Sequence, residues 1–306
     1  MTSLLTNTSA ITALQNLSAT NRAMQTTQER ISTGMRVANA SDNAAYWSIA
    51  TTMRSDNSAL SSVKDALGMG SATVDVASAA LKTTSDLVTQ IKSKLVAASQ
   101  PGIDRAKVQS EITQLQNQIK SVADSSNFSG QNWLSVDTTG ANYTATKNIV
   151  ASFTRTGSAV AIGTIDVDTS KISLYDSGAQ TGIIDKDRTS GTTTVAVGSL
   201  DISALTDSTT DQTTLKDYIS VVDAALTDIT TAASNLGAVK TRIGTQTDFL
   251  GNLMDAVTKG VGQLVDADMN QESTKLQALQ VQQQLGVQSL SIANQSSQQI
   301  LSLFRG

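Results

Sequence analysis

The sequence predicts a mainly α protein: a long antiparallel helical bundle or coiled coil with a small β-rich inserted domain. Three observations lead there. Two long segments repeat a large apolar residue every seven positions. Between them, residues 137–210 are rich in Thr, Gly, Ser and Asp and carry short alternating runs. At both ends, apolar residues fall at helical spacing within otherwise polar sequence.

The composition narrows the function before any motif is read. The chain has 306 residues, enough for two or three domains, yet only 3% aromatic residues, a single Pro, and neither Cys nor His. Without His and Cys it lacks the commonest metal ligands and the Ser-His and Cys-His nucleophile pairs, so an enzyme is not expected and no cofactor is expected. The absence of Cys also rules out disulfide staples, leaving packing and assembly as the sources of stability. Net charge is −4 with Lys and Arg scattered, a pattern that predicts no nucleic-acid partner and no membrane surface. No apolar run is long enough to span a bilayer. The opening MTSLLTNTSAITALQN has no basic n-region, long apolar core or cleavage site, so it does not read as a secretory signal peptide, and a chain that leaves the cell with this sequence needs a route that does not cleave it.

In chain order, the first element is a helix within residues 1–36, with Leu14, Leu17, Met24, Ile31 and Met35 at helical spacing. The segment ERISTGMRVANASDNAAYWSIA follows. Gly34 is placed to end the first helix, and Ser41 or Asp42 to cap a long helix starting near Ala44. Arg30 and Arg36 flank the glycine and are candidates to pair with carboxylates on a neighbour. The long helix carries Tyr46, Met53, Leu60, Leu67, Val74, Leu81, Val88 and Leu95, seven residues apart, with Val63, Gly70, Ala77, Thr84, Ile91 and Ala98 interleaved and Asp56 breaking the pattern.

Pro101-Gly102 ends that helix, since both residues disfavour its continuation. A shorter helix follows through Val108, Ile112, Leu115, Ile119 and Val122. The runs NIVASFT, GTIDVDT, KISLYD and TTTVAVGS predict strands within the insertion. The second long helix repeats the seven-residue pattern through Leu215, Val222, Ile229, Leu236, Ile243, Leu250, Val257 and Leu264.

The last forty or so residues carry two apolar stripes on one helix. One runs through Leu276, Leu279, Leu290, Ala293, Ile300 and Phe304, the other through Val281, Leu285, Ile292 and Leu303. A helix with two apolar faces needs more than one neighbour. The candidate assembly positions are therefore Leu14, Leu17, Met24 and Ile31 at one end and Leu276, Leu279, Leu285, Leu290, Ile292, Ile300, Leu303 and Phe304 at the other. Both ends are expected to gain order when subunits associate. The expected domains are 1–43 with 265–306, a terminal coiled-coil assembly domain; 44–136 with 211–264, a long helical bundle; and 137–210, a β-rich domain.

At this point the local text resembles bacterial flagellin. Arg30, Ile31, Ser32, Thr33, Gly34 and Arg36, then Asp42, Asn43, Ala44 and Ala45, then Ile49 and Ala50 match the family's amino-terminal form. SSNFSGQNWL, around Phe128, Gly130 and Leu134, is similar to its turn after the third helix. Asp266 and Asp268 resemble the start of its terminal helix, and Ala293, Asn294, Gln295, Leu301, Leu303 and Arg305 its ending. The likeness covers roughly the first 135 and last 95 residues. The run Ala45-Tyr46-Trp47 resembles short flagellins of soil- and plant-associated alphaproteobacteria.

The resemblance implies a structural subunit that polymerises with itself, and with sister flagellins where these are present, into the filament used for swimming. It implies that the β-rich domain, 137–210, is a variable surface domain. It implies a secreted, extracellular protein whose partners are the flagellar type III export apparatus, an export chaperone, and filament cap and junction proteins. Immune receptors read this family, and the candidate segment here is Arg30, Gly34, Arg36, Ser41, Asp42 and Asn43. Ser41 and Asn43 depart from residues common in that segment, and Gln90, Ser93 and Lys94 depart where the animal receptor binds, so weak recognition is expected. The competing readings are a hook-filament junction protein, a coiled-coil adhesin with a stable monomer, and an enzyme in the insertion, for which no residue cluster speaks.

Overall fold

The structure, a computed structural model, describes residues 7–303 apart from 142 and 158, with side chains up to 295. Five α-helices are found among the described residues: α1 (Thr8–Thr33), α2 (Ala44–Ala98), α3 (Arg105–Ser125), α4 (Thr209–Val265) and α5 (Met269–Leu303). Between α3 and α4 lie the strands β1 (Asn127–Phe128), β2 (Gln131–Asn132), β3 (Ser135–Val136), β4 (Thr146–Thr156), β5 (Ala159–Asp168), β6 (Tyr175–Asp176), β7 (Arg188–Ser190) and β8 (Thr193–Val195). The protein is mainly α with a small sheet region, as the sequence predicts. Two compact units are formed, Met1–Ser58 with Met254–Gly306 and Ala59–Leu253.

In the unit Ala59–Leu253 the seven-residue repeat is the core. Leu60, Leu67, Val74, Leu81, Val88 and Leu95 of α2 are buried, and so are all their smaller companions from Val63 to Ala98. Leu215, Val222, Ile229, Leu236, Ile243 and Leu250 of α4 are buried likewise. The ion pairs Lys92–Asp223 and Asp75–Lys240 step forward along α2 and backward along α4 by the same count, which fixes an antiparallel register. These pairs lie at the surface and contribute little energy; the apolar seam supplies it, at about 1.5–3 kcal/mol for each large side chain fully buried.

Proline and glycine break the chain where expected, and an arginine fastens the break. Arg105, nearly fully buried, donates from Nε to the carbonyl of Ala98 at 3.1 Å and from Nη2 to Asp207 at 2.7 Å. Asp207 also accepts from the Gly102 amide. The turn after α2 is thereby tied to the segment that leads into α4. On α3, Gln116 donates to the carbonyls of Val197 and Leu200, anchoring the far end of the insertion.

The insertion differs from a simple reading of its alternating runs. It forms four separate two-stranded pairs rather than one sheet. β4 and β5 make the only long hairpin among the described residues, with an irregularity between Val150 and Ser152. KISLYD contributes the last residue of a 3-10 turn, Lys171, and the two residues of β6, which pairs parallel to β3. Its apolar residues Ile172 and Leu174 are buried, but their backbone bonds go to loops, such as Leu174 N to Leu134 O. The Ser129-Gly130 turn between β1 and β2 places both residues at positive φ, the geometry of a two-residue hairpin loop.

Two details of this unit expose physical constraints. Gly70 sits on the buried seam of α2, where a Cβ would come within 2.5 Å of Ile149 Cγ2 of β4. The hairpin rests on the helix only because that position has no side chain. Asp176 is fully buried. Desolvation opposes its charge, but hydrogen bonds from the Thr138 amide and hydroxyl, the Thr181 hydroxyl and the Gly178 amide hold its carboxyl well below the usual range. Burial pushes the neighbouring Asp185 carboxyl the other way, upward.

Gly70→Val is expected to cost about 1–3 kcal/mol in denaturant unfolding, with amide protection lost selectively in residues 146–168. Asp176 has a depressed folded-state pKa, so its contribution is present above the unfolded carboxylate value of about 3.9 and is lost as pH falls below it. Asp176→Asn should therefore be less stable than the parent at pH 7, with the gap closing below about pH 4, measured by urea unfolding across pH.

Candidate assembly surface

The unit formed by both chain ends begins with a cap. Asn7 accepts from the Ala10 amide with Oδ1 at 3.1 Å and donates from Nδ2 to the Ala293 carbonyl at 2.9 Å. One side chain thus starts α1 and ties it to α5. From there the helices run antiparallel, with Leu17 against Gly286, Asn21 Oδ1 accepting from Gln283 Nε2 at 2.9 Å, and Arg30 paired with Glu272 at 3.2 Å.

The contact face of α5 is Glu272, Leu276, Leu279, Gln283, Gly286, Leu290 and Ala293, an unbroken four-three spacing. On α1 the matching face is Ala10, Ala13, Leu17, Thr20, Met24, Thr27 and Ile31. Small and polar residues occupy half of this seam. Thr27 is 1% exposed and Glu272 7%, and Thr27 Oγ1 and Glu272 Oε2 have no hydrogen-bond partner.

Gly34 ends α1 in the left-handed conformation at φ +71°, its amide bonded to the Arg30 carbonyl. The chain then forms an antiparallel bridge, Met35 to Asp266. The amides of Arg36 and Val37 donate to the Val265 carbonyl, and the Ala267 amide donates to the Gly34 carbonyl. The Arg36 guanidinium donates to the carbonyls of Leu264 at 3.0 Å and Gln263 at 3.4 Å, a cation at the carbonyl end of α4. Val37, Ala50, Val261 and Val265 form a small core under this junction, with Met35, Met53, Val257 and Leu264 packed on it. Asp268 caps α5 through the amides of Asn270 and Gln271.

Several expectations are corrected here. The cap of α2 is Asn43, whose Oδ1 accepts from the Tyr46 amide. Asp42 points back and accepts from Ala38 and Asn39, and Ser41 is exposed without a capping bond in the structure. Arg30 and Arg36 find partners within the chain rather than waiting for a neighbour's carboxylate. The reason is local: the bridge at Met35 brings the start of α5 and the end of α4 beside them.

The candidate assembly residues divide into two sets. Leu17, Met24, Ile31, Leu276, Leu279 and Leu290 lie on the α1–α5 seam. Leu14, Leu285 and Ile292 do not; they are 57%, 55% and 64% exposed. Val281, Val287 and Ile11 are exposed with them, and a shallow groove of about 600 Å³ runs along Val281, Leu285 and Val287. The side chains of Ile300 and Leu303, and Phe304 entirely, lie outside the described residues. Sequence reading passed over Asn7, Asn21, Thr27 and Gly286 as seam positions. For Thr27 and Gly286 the signal was the four-three spacing, which continues through residues that are not apolar; Asn7, the cap, and Asn21, beside the stripe, lie off that spacing.

This arrangement presents apolar helix faces of the kind that pack against other helices. The models of the bacterial flagellin N-terminal and C-terminal helical regions match residues 4–139 and 219–304. Flagellin C of Rhizobium meliloti strain 1021 is 49% identical over the whole of both chains.

The chain belongs to the bacterial flagellin family.

It is a structural subunit of the flagellar filament. A flagellin of Brucella melitensis biotype 1 is 46% identical and Flagellin A of Rhizobium meliloti 41%, again over the full length of both chains. The family models leave residues 140–218 between them, the part that holds β4 to β8 and the start of α4. Flagellin relatives from Rhizobium agree with the likeness seen in Ala45-Tyr46-Trp47.

Asn43→Ala is expected to cost about 1 kcal/mol and to fray the first turn of α2. Gly34→Ala, forced to keep a positive φ, should cost about 1 kcal/mol as well. Both are read by thermal unfolding, with hydrogen exchange locating the loss at residues 34–50.

Proposed function

We propose that this chain polymerises through the second, exposed face of its terminal helices while the first face holds α1 and α5 together. The observation that carries this reading is the exposed stripe of Val281, Leu285 and Ile292 on a helix whose other face is already occupied. An exposed apolar run of this kind marks a contact surface. One surface meeting a different one on the next copy gives a contact that does not close, and repetition of it builds a helix.

In this reading residues 1–43 and 265–306 form the assembly domain, 44–136 with 211–264 the helical bundle, and 137–210 the outward surface domain. Ile300, Leu303 and Phe304 extend the assembly surface. The protein is secreted, acts outside the cell and has no catalytic activity. It passes through the flagellar type III export apparatus with an export chaperone and meets cap and junction proteins at the growing filament. The lack of Cys supports export before folding, since no oxidation step is required.

Recognition by immune receptors of plants and animals is proposed to be weak. Ser41, Asp42 and Asn43 are exposed and accessible, so their identity rather than their burial would decide plant-receptor binding. Strong receptor activation by the purified chain in a reporter assay would contradict this.

Leu285→Gln with Ile292→Gln is expected to leave helix content unchanged by circular dichroism and to reduce seeded filament growth at least about tenfold, the loss of one desolvated apolar contact at each interface. Normal filament growth by this variant would contradict the reading.

A further inference from the structure

The α1–α5 seam is polar where a stable coiled coil would be apolar, and the polar residues are not scattered at random. Asn21 meets Gln283, Arg30 meets Glu272, and Leu17 meets the one glycine of the seam, Gly286. Moving α5 by one heptad keeps most apolar residues in the seam and so forfeits little hydrophobic burial. In one direction it would set Leu290 against Asn21 and Leu279 against Arg30. In the other it would set Leu276 against Asn21 and Leu279 against Leu17. Every one-heptad alternative therefore buries a polar group without its partner, or crowds two leucines where a leucine and a glycine now fit.

We infer that Asn21, Gln283, Arg30 and Glu272 are positioning residues that select the register of α1 on α5, at the expense of the strength of that pairing. Buried polar pairs in coiled coils act in this way, because a mispaired polar group costs more than a matched pair contributes. Thr27 shows the cost directly, its hydroxyl being buried without a hydrogen-bond partner, and Glu272 Oε2, also without a hydrogen bond, has only the Lys275 ammonium at 4.0 Å. A polymer subunit has a particular need for such selection. Many copies of the same two apolar-striped helices crowd together during assembly, and a slipped pair would displace Val281, Leu285 and Ile292 along the outer face by about 10 Å, seven residues at 1.5 Å each.

The absence of cysteine makes the test clean. Full-length chains carrying Leu17→Cys with Gly286→Cys report the observed register; those carrying Leu17→Cys with Ala293→Cys report a one-heptad slip, too distant to bridge otherwise. Intramolecular disulfide is measured at equilibrium in a glutathione buffer. The observed register should exceed the slipped one by about tenfold or more, the effect of leaving a buried polar group unpaired. In a background of Asn21→Leu, Gln283→Leu and Glu272→Leu the ratio should fall towards one. If that background does not fold, Glu272→Arg alone should lower the ratio, and Arg30→Glu added to it should restore it.

An unchanged ratio in the leucine background, failure of the charge swap to restore it, or no intramolecular disulfide in the parent would each overturn the inference. Filament growth is scored separately on the same samples. Loss of filaments with the register intact bears on the proposed assembly face and not on this inference.

Discussion

Seven residues make almost two turns of an α-helix, so a side chain repeated every seventh position stays on one face. That constraint governs the four long helices α1, α2, α4 and α5. In α2 and α4 the repeat is large and apolar, and burial along it provides a seam built from aliphatic side chains without disulfides. In α1 and α5 the same spacing persists with Asn, Gln, Thr, Glu and Gly in many of the positions. The geometry is the same, but the energy is much smaller. Strength is concentrated in the middle of the chain, and adaptability at its ends.

This difference explains how one sequence can serve two purposes. A core of Leu, Val and Ile side chains in the unit Ala59–Leu253 is buried by residues of the same chain. The terminal unit buries few large side chains completely, and leaves a second apolar stripe in solvent. A polypeptide that joins a polymer benefits from ends that are paired but weakly so. The junction at Gly34 to Asn43 connects the two helical faces through backbone hydrogen bonds and the two arginines. Arg30 reaches α5, and Arg36 covers the carbonyl end of α4.

Much of this was legible in the sequence, and the reasons for the exceptions are physical. The seven-residue repeat, the break at Pro101-Gly102 and the two stripes of α5 follow from periodicity, which sequence displays directly. Which stripe faces inward does not follow from periodicity. It depends on α1, whose matching face is half polar and is recognised only through its partners. The cap of α2 moved from Ser41 or Asp42 to Asn43 because three consecutive residues can all cap, and the choice is made by the loop that Asp42 closes behind it. The insertion was harder still. Ile172 and Leu174 alternate like a strand, yet the Ile172 amide closes the preceding turn on Thr169 and Leu174 bonds to Leu134 and Ile184 in loops, and alternation alone carries no information about where such partners lie.

The central claim is that the two apolar faces of α5 have different partners, one within the chain and one outside it. Side-chain footprinting by hydroxyl radicals, performed on the monomer and on seeded filaments of the same protein, addresses it directly. The account predicts that Leu285 and Ile292 are strongly modified in the monomer and protected in the filament, while Leu279 is protected in both. Equal modification of Leu285 and Ile292 in monomer and filament would contradict it.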